Sequence, residues 1–263
     1  MAPFDDFQCR RGLTFHTSAG QLQPLKTLQH ASLLTLHRDI RALDLAGYDL
    51  VISDYEPVTA RAARRQGIPC VGIGHQYAFS FPVPLRGGNL LSRTILQRFA
   101  PVTIPVGLHW HHFDQPILPP IVDLAHGLAS RGDTERRVLV YLPFEDQDAL
   151  LPLFRQFPHY EFYIYAPGQR WHDDGHLHTR PLSRDGFQQD LIDSHWVICN
   201  AGFELISEAL QLGKRIMAKP LRGQIEQLAN AAALEQLGYA AIEDRINRAA
   251  LAFWFDCEPV APR

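Results

Sequence analysis

The sequence predicts an α/β protein with parallel sheets, and two stretches carry that prediction. In the first half, strand-like residues 49–53 are followed by a helical pattern at residues 58–66 and a second strand at residues 70–73. In the second half, an apolar run at residues 196–199 is followed by helical spacing from Phe203 to Gly213. Short strands that alternate with helices along a chain form parallel sheets covered by those helices.

Composition and charge indicate an intracellular globular protein. The chain has 263 residues, a formal net charge of −3 and a pI of about 6.5, so its charge does not indicate a nucleic-acid partner. Its cysteines, Cys9, Cys70, Cys199 and Cys257, are far apart, which indicates reduced thiols and argues against a zinc cluster. The chain opens without a charged-then-apolar leader and contains no run of about 20 apolar residues, so we expect a cytoplasmic protein without membrane-spanning helices.

The order of these patterns predicts two domains. Residues 1–114 are predicted as the first domain and residues 115–137, rich in proline and glycine, as the linker. Residues 138–242 are predicted as the second domain, and residues 243–263 as a C-terminal helix and tail. Further elements continue the alternation within both domains. Helices are predicted at residues 22–45, 147–157 and 185–192, and strands at residues 102–108, 138–142, 162–166, 177–179 and 215–218.

The turn between the strand and the helix of residues 196–213 has the residues of a ligand site. Asn200-Ala201-Gly202 are small and let the backbone approach a ligand closely. The helix behind them presents N–H groups and a partial positive charge, which suit a phosphate. Ser207-Glu208 place a carboxylate about one turn further on, where it can accept hydrogen bonds from sugar hydroxyls. The alternative is an ordinary strand–turn–helix unit with a solvated glutamate.

A second polar group of residues follows the next strand. Its helix has an apolar stripe formed by Ile225, Leu228, Ala229 and Ala232. On another face lie Glu226, Gln227 and Asn230, amide and carboxylate groups that can grip several sugar hydroxyls. Such a helix begins at the carboxyl ends of neighbouring parallel strands, where ligands of open α/β sheets bind.

These residues carry a family resemblance. Between Asn200 and Tyr239 the chain contains N-A-G-F, S-E-A, L-G, P-L-x-G-Q-x-E-Q, N-A and L-G-Y. This pattern resembles the donor-binding half of the GT-B glycosyltransferases, and most of all the branch with the bacterial peptidoglycan N-acetylglucosaminyl transferase. The turns at residues 48–57 and 72–77 resemble the same group, so the resemblance extends from Phe4 to about Tyr239.

The resemblance implies two Rossmann-like domains whose parallel sheets face a cleft, with the N-terminal domain incomplete. GT-B proteins usually begin with a strand and a glycine-rich loop that often bears a histidine, and residues 1–15 do not have this pattern. Loss of such a βα unit would expose a face and an edge of the first parallel sheet. The resemblance also implies that the last helix packs back across the first domain.

The resemblance assigns a donor-binding set to the second domain. The set is Asn200, Ala201, Gly202, Phe203, Ser207, Glu208, Gln224, Glu226, Gln227 and Asn230. Its first three members would lie near the donor diphosphate. Glu208 would bind the ribose hydroxyls, and Glu226 and Gln227 would contact the transferred sugar. Asn230 would support their loop or approach the phosphates.

The implied activity is transfer of a sugar from a nucleotide diphosphate sugar, with UDP as the default nucleotide, to an acceptor hydroxyl. One direct displacement inverts the anomeric configuration. GT-B enzymes generally lack a bound catalytic metal, so no cofactor is expected, and backbone N–H groups must meet the charge on the leaving phosphate. The acceptor would be a glycan, a lipid-linked molecule or a small molecule. The alternatives are a nucleotide-sugar epimerase and a non-catalytic or truncated remnant that binds a nucleotide sugar.

The first candidate for the catalytic base is His75, which follows the strand at residues 70–73. An imidazole titrates near neutral pH and can take a proton from an acceptor hydroxyl. Asp54 and Glu56, which follow the preceding strand, are secondary candidates. The alternative role for His75 is to position a loop or to contact the substrate without proton transfer.

Two further segments have both a functional and a structural interpretation. The run from His109 to Asp114 contains three histidines and an aspartate, which are metal-ligand types. Strand alternation would place His109 and His111 on one face and His112 on the other, so we expect packing there instead of a metal.

Residues 81–102 mix basic and apolar side chains, as in a peripheral membrane contact or an ordinary amphipathic helix.

Overall fold

The computed structural model describes residues 17–18, 21–22, 33–87, 94, 96–124 and 135–257. Within them the chain forms two compact units. The first unit contains residues 33–82, 94 and 96–119. The second contains the described residues of 17–22, 83–89 and 120–263. The boundary after Pro119 falls inside the predicted linker, whereas residues 83–87 join the second unit although the prediction placed them in the first domain.

The elements of the described residues alternate much as predicted. The strands are β1 (Thr17–Ser18), β2 (Gln21–Leu22), β3 (Val51–Ser53), β4 (Cys70–Gly74), β5 (Ile104–Gly107), β6 (Arg137–Tyr141), β7 (Glu161–Tyr165), β8 (His172–Asp174), β9 (Leu177–Arg180), β10 (Trp196–Asn200), β11 (Arg215–Lys219) and β12 (Ala241–Ile242). The helices are α1 (Leu33–Ala42), α2 (Pro57–Gln66), α3 (Gln147–Phe154), α4 (Arg184–Asp193), α5 (Phe203–Gln211), α6 (Ile225–Leu237) and α7 (Arg248–Asp256), with a 3₁₀ helix at His75–Ser80. The helix predicted at residues 22–45 is observed as α1. The prediction is wrong for Leu22, which belongs to β2, and for residues 43–45, which follow the helix, and residues 23–32 lie outside the described residues.

The first unit is built on a parallel sheet with the order β3-β4-β5. Ile52, Val71 and Ile104 are paired across the three strands and therefore share one face of the sheet. On that face Ile52 is 65% exposed and Ile104 is 54% exposed. The prediction of a buried strand at residues 49–53 is therefore correct for Val51 and Ser53. It is wrong for Ile52 and also for Asp49 and Leu50, which are exposed and precede the strand. Such exposure is unusual, because parallel sheets are ordinarily covered on both faces.

Helix α2 has clear signals at both of its ends. Glu56 caps its N-terminus, where the carboxylate accepts hydrogen bonds from the N–H groups of Val58 at 2.8 Å and Thr59 at 2.6 Å. Gly67 ends the helix with a left-handed φ of 72°, a conformation that glycine adopts without strain. The helix buries its alanine-rich face against Val51 and Cys70.

The second unit is built on a seven-stranded sheet with the order β12-β11-β10-β6-β7-β9-β8. Every neighbouring pair is parallel except β8 and β9, which form an antiparallel hairpin. Strand β8 was not predicted, because its three residues are polar and exposed and so have no hydrophobic pattern. Strand β10 lies between β11 and β6 and is buried along its whole length. This central strand leads into the polar turn that the sequence singled out.

The core of the second unit includes the C-terminal helix α7. Leu251, Trp254 and Phe255 of α7 belong to the same buried cluster as Val138 and Ile198 of the sheet. Packing of the last helix across the first domain was therefore wrong for these side chains, because their aromatic rings are held by the second unit. Among the described residues no helix is long and apolar enough to cross a membrane.

Candidate functional site

The turn after β10 is open on the side where the sequence analysis placed a ligand. Asn200 ends the strand, and α5 begins at Phe203 without a side-chain cap on its N-terminus. Gly202 has an ordinary φ of −75°, and a Cβ added to it would meet no heavy atom within 4 Å. The glycine is therefore required neither by backbone strain nor by packing. It leaves open space in front of a helix N-terminus, which is a favourable position for an anion.

The side-chain amide of Asn200 is fixed by two acceptors. Its Nδ2 donates to Oε1 of Glu145 at 3.3 Å and to the carbonyl oxygen of Lys219 at 3.1 Å. Its Oδ1 is buried and has no hydrogen-bond partner among the described residues. A buried acceptor without a partner is unfavourable and is typical of places where a ligand or water completes the site.

An ion pair lies directly beside this amide. The Nζ of Lys219 is 2.6 Å from Oε1 of Glu145, and the two side chains are only 11% and 13% exposed. Lys219 is paired with Asn200 in the β10–β11 register, and Glu145 lies in the loop after β6, on the other side of β10. The carboxyl ends of three adjacent strands therefore bring these charges together. Neither residue was among the predicted site residues, and the usable signal was a lysine that directly follows the apolar run Ile216-Met217-Ala218.

Gln227 and Asn230 on α6 are buried and face inwards. Oε1 of Gln227 accepts a hydrogen bond of 2.9 Å from the N–H of Leu221, and Nδ2 of Asn230 donates one of 3.0 Å to the carbonyl oxygen of Ala201. Gln227 thus holds the loop after β11, and Asn230 holds the turn after β10. The loop that Asn230 supports is therefore not the one that carries Glu226 and Gln227. The expected apolar stripe of α6 is wrong in part. Its buried face carries Gln227, Asn230, Ala231 and Leu234, whereas Ile225, Leu228 and Ala232 are only half-buried.

The polar residues of α5 differ in their surroundings. Ser207 is buried, and its hydroxyl donates to the carbonyl oxygen of Phe203 at 2.7 Å, a bond within the helix. Glu208 is half-buried, and its pKa is raised, first by burial and then by Glu204 one turn earlier, while Arg184 opposes the shift. A partly desolvated carboxylate of this kind gains from hydroxyl donors, because they replace lost water.

Gln224 and Glu226 lie at the start of α6. Gln224 occupies the N-cap position, and its Oε1 is buried with no hydrogen-bond partner among the described residues. Glu226 is half-buried in the first turn of the helix. Within the described part of the second unit, two buried acceptor oxygens therefore have no partner, one on Asn200 at the end of β10 and one on Gln224 at the start of α6.

His75 of the first unit begins the 3₁₀ helix and is buried. Its Nδ1 lies 2.9 Å from the carbonyl oxygen of Leu108. A carbonyl only accepts, so Nδ1 carries a proton, and a base acting through this ring would use Nε2. The ring packs edge-on against Phe79 and His109. The tautomer is thus the one that a base acting through Nε2 requires.

The two secondary base candidates have different environments. Asp54 is exposed, and the partial burial of its carboxyl group raises its pKa. It lies beside Gly74, the residue before His75, since a Cβ on Gly74 would be 2.6 Å from Oδ1 of Asp54. Glu56 uses both carboxylate oxygens to cap α2. That commitment makes Glu56 a structural residue in this conformation.

The histidine run at residues 109–114 is folded against aromatic rings. His109 is buried, and its pKa is lowered to about 3, chiefly by burial and further by His75 and His111. Its ring contacts Trp110 and Phe113 edge-on. Among the described residues no group of three or more His, Cys, Asp or Glu side chains is arranged to hold a metal ion.

The family model described as Glycosyl transferase family 1 matches residues 4–257. Comparison with curated proteins finds no match.

Three solved structures are similar in fold. The glycosyltransferase SnogD from Streptomyces nogalater is 18% identical with a TM-score of 0.52, over 85% of this chain and 68% of that one. MurG from Acinetobacter baumannii is 16% identical with a TM-score of 0.55, over 92% and 74% of the two chains. The spinosyn rhamnosyltransferase SpnG, solved with thymidine diphosphate, is 17% identical with a TM-score of 0.54, over 85% and 67%.

Proposed function

We propose that this chain, which belongs to glycosyl transferase family 1, transfers a sugar from a nucleotide diphosphate sugar to an acceptor hydroxyl. Membership of that family makes the protein an enzyme of the glycosyltransferase class. The observation that carries the proposed donor is the open turn after β10. There an uncapped helix N-terminus, the buried amide of Asn200 and the half-buried carboxylate of Glu208 lie on one strand–turn–helix unit.

The donor is assigned to this turn by its chemistry. The N–H groups at the start of α5 suit the diphosphate, and Glu208 is proposed to accept hydrogen bonds from the ribose hydroxyls. The similarity in fold to SpnG, which was solved with thymidine diphosphate, supports a nucleoside diphosphate as the ligand class. UDP is the nucleotide proposed on the family resemblance.

The proposed reaction is a single displacement. The acceptor oxygen attacks the anomeric carbon as its proton passes to a base, and the bond from that carbon to the diphosphate oxygen breaks. The nucleoside diphosphate leaves with the electron pair, and the anomeric configuration inverts. The proposal needs neither metal nor cofactor, because helix N–H groups meet the negative charge that builds on the leaving phosphate.

His75 is the proposed base. Its Nδ1–H is held by the carbonyl oxygen of Leu108, which directs the basic lone pair to Nε2. The acceptor is proposed as a glycan, a lipid-linked molecule or a small molecule in the cytoplasm. Peripheral contact with a membrane through residues 81–102 belongs to the same proposal, and residues 88–93 and 95 of that segment lie outside the described residues.

One observation favours a second candidate function, that of a non-catalytic protein that binds a nucleotide sugar. Glu56 is committed to a helix cap, and His75 is only 5% exposed. Two of the three base candidates are therefore poorly placed to reach an acceptor in this conformation.

Release of nucleoside diphosphate from a panel of UDP-, GDP- and TDP-sugars separates the two functions. A glycosyltransferase is expected to release diphosphate from one donor, slowly to water and faster with an accepted hydroxyl compound. Tight binding of a donor without any release, across a broad acceptor panel, would support the non-catalytic protein. Absence of both binding and release would contradict both functions.

A further inference from the structure

The hydrogen-bond partners of Asn200 determine which end of its amide is left without a partner among the described residues. The two groups beside Nδ2, the carboxylate of Glu145 and the carbonyl oxygen of Lys219, can only accept hydrogen bonds. If the amide were turned over, Oδ1 would face two other oxygens, which is repulsive. The orientation with Nδ2 towards these acceptors therefore follows from the hydrogen-bond network itself.

The ion pair is what keeps a carboxylate at this position. Glu145 is nearly buried and is neutralised by Lys219, whose Nζ contacts the same oxygen that accepts from Asn200. A buried ion pair of this kind rarely adds net stability compared with apolar side chains of similar volume. The pair holds Nδ2 of Asn200 in place, so that Oδ1 is the end of the amide left without a hydrogen-bond partner among the described residues.

The chemistry of Oδ1 restricts the ligand group that can satisfy it. Oδ1 is an acceptor without a partner among the described residues, on a side chain that is only 7% exposed. Phosphate oxygens of a diphosphate are also acceptors, so a phosphate group cannot satisfy Oδ1. A hydroxyl can, because it donates. The unpartnered Oε1 of Gln224, at the start of α6, has the same requirement.

We propose that Asn200 is a specificity residue that accepts a hydrogen bond from a hydroxyl of the nucleotide sugar, and that Glu145 and Lys219 are its positioning residues. This inference rests on the proposed donor site and changes the role of Asn200 within it, from a neighbour of the diphosphate to a hydroxyl acceptor. Hydroxyls flank the diphosphate on both sides, on the ribose and on the transferred sugar. The shared chemistry is a hydroxyl donor, and the test distinguishes the two sources.

The test is a ligand series titrated by calorimetry. The nucleoside diphosphate that binds most tightly among UDP, GDP, ADP and TDP is compared with its 2′-deoxy and 3′-deoxy forms (for TDP, with its ribo and 3′-deoxy forms). Its glucose conjugate is compared with monodeoxyglucose conjugates. Wild type is expected to lose about tenfold in affinity when the hydroxyl contacted by Asn200 is absent. Asn200→Ala should lose most of the preference for that one hydroxyl and should keep the preference for any ribose hydroxyl that Glu208 alone contacts. If Asn200→Ala loses the preference for a ribose hydroxyl, the hydroxyl that Asn200 contacts is on the ribose. If it loses a preference only among the glucose conjugates, the contacted hydroxyl is on the transferred sugar.

Two further variants distinguish ligand recognition by Asn200 from a purely structural role. Asn247→Ala removes the N-cap of α7 in the same unit and should lower thermal stability without changing selectivity. The double variant Glu145→Met/Lys219→Met should fold, because the charges leave together, and should lose roughly threefold of the hydroxyl selectivity, because Asn200 keeps only one acceptor. Unchanged selectivity in the double variant would overturn the positioning role.

A wrong role for Asn200 and a wrong donor site would give different titration results. If Asn200→Ala weakens all ligands equally while every hydroxyl preference of wild type remains, Asn200 is a structural residue and the inference is overturned. If folded wild type binds no nucleoside diphosphate or conjugate, the proposed donor site itself fails, and the inference falls with it.

Discussion

Asn230 on α6 donates a hydrogen bond of 3.0 Å from Nδ2 to the carbonyl oxygen of Ala201, in the turn between β10 and α5. The side chain of Asn230 is fully buried, so water cannot replace this hydrogen bond if it is lost. Helix α6 thereby fixes the backbone of the turn that leads into α5. The proposed phosphate-binding N–H groups are thus positioned by a side chain that has no need to touch the ligand.

Asn230→Asp is expected to destabilise the protein by about 1–3 kcal/mol, because a carboxylate cannot donate to the carbonyl oxygen of Ala201 and is itself left buried. Donor affinity should fall in parallel as the turn loosens. Urea unfolding measures the first effect and calorimetric titration the second. Gln236→Ala, at an exposed position of the same helix, is the matched control and should change stability by less than about 0.5 kcal/mol. Equal effects of the two variants would contradict this role of Asn230.

The ion pair between Glu145 and Lys219 makes a prediction about single and double variants. Glu145→Met alone leaves a buried ammonium group, which should destabilise the protein by about 3–5 kcal/mol. Lys219→Met alone should have a similar effect, and the double variant should be close to wild type or more stable. The exposed pair of Arg155 and Asp174 is the control, and its removal should change stability by less than about 1 kcal/mol. Additive losses in the Glu145/Lys219 double variant would show that the charges are not coupled.

How far the sequence predicts this architecture depends on the range of the interactions involved. The strand, turn and helix around Asn200 follow from local periodicity and were placed within one or two residues of the observed bounds. The Glu145–Lys219 pair could not be predicted that way, because 74 residues separate its members and only the sheet order brings them together. Gln227 and Asn230 of α6 were predicted as site residues, but their burial against loop backbone was not predicted, for a related reason. Helical spacing identifies which residues share a face of a helix. It does not show that a carbonyl or N–H group of a neighbouring loop will form a hydrogen bond with an amide side chain on that face.

Buried His109 should make the stability of the protein depend on pH. Its folded pKa of about 3 lies below the unfolded value of 6.5, so the unfolded chain binds one more proton between these values. Stability is therefore fully present above pH 6.5 and is lost as pH falls, by up to about 1.4 kcal/mol per pH unit. Urea unfolding at a series of pH values measures this slope.

His109→Asn is the matched variant, because its side-chain oxygen can replace Nδ1 as the acceptor of the N–H of Trp110 and does not titrate. It should flatten the slope between pH 5 and 6.5. Exposed His112→Asn should retain the slope. The same steepness in His109→Asn as in wild type would show that another group causes the pH dependence.

His75→Gln tests the proposed base. The variant is expected to lower the rate of diphosphate release at least 100-fold with little change in donor affinity, because the donor is assigned to the second unit. The measurements are single-turnover release and donor titration, with His112→Asn as the control. A variant that keeps most of its activity, or one whose donor affinity falls together with its rate, would rule out His75 as the base.

The most direct test of the proposed donor site is calorimetric titration of UDP, GDP, ADP and TDP into wild type, Glu208→Ala and Glu204→Ala. Glu204 is exposed one turn before Glu208 and provides the same charge change without the proposed contact. One nucleotide is expected to bind in about the micromolar range, with Glu208→Ala about tenfold weaker or more, or about 1.4 kcal/mol, and Glu204→Ala unchanged or slightly tighter. If folded wild type binds none of the four, or Glu208→Ala binds as tightly as wild type, the assignment of the donor to the turn after β10 is wrong.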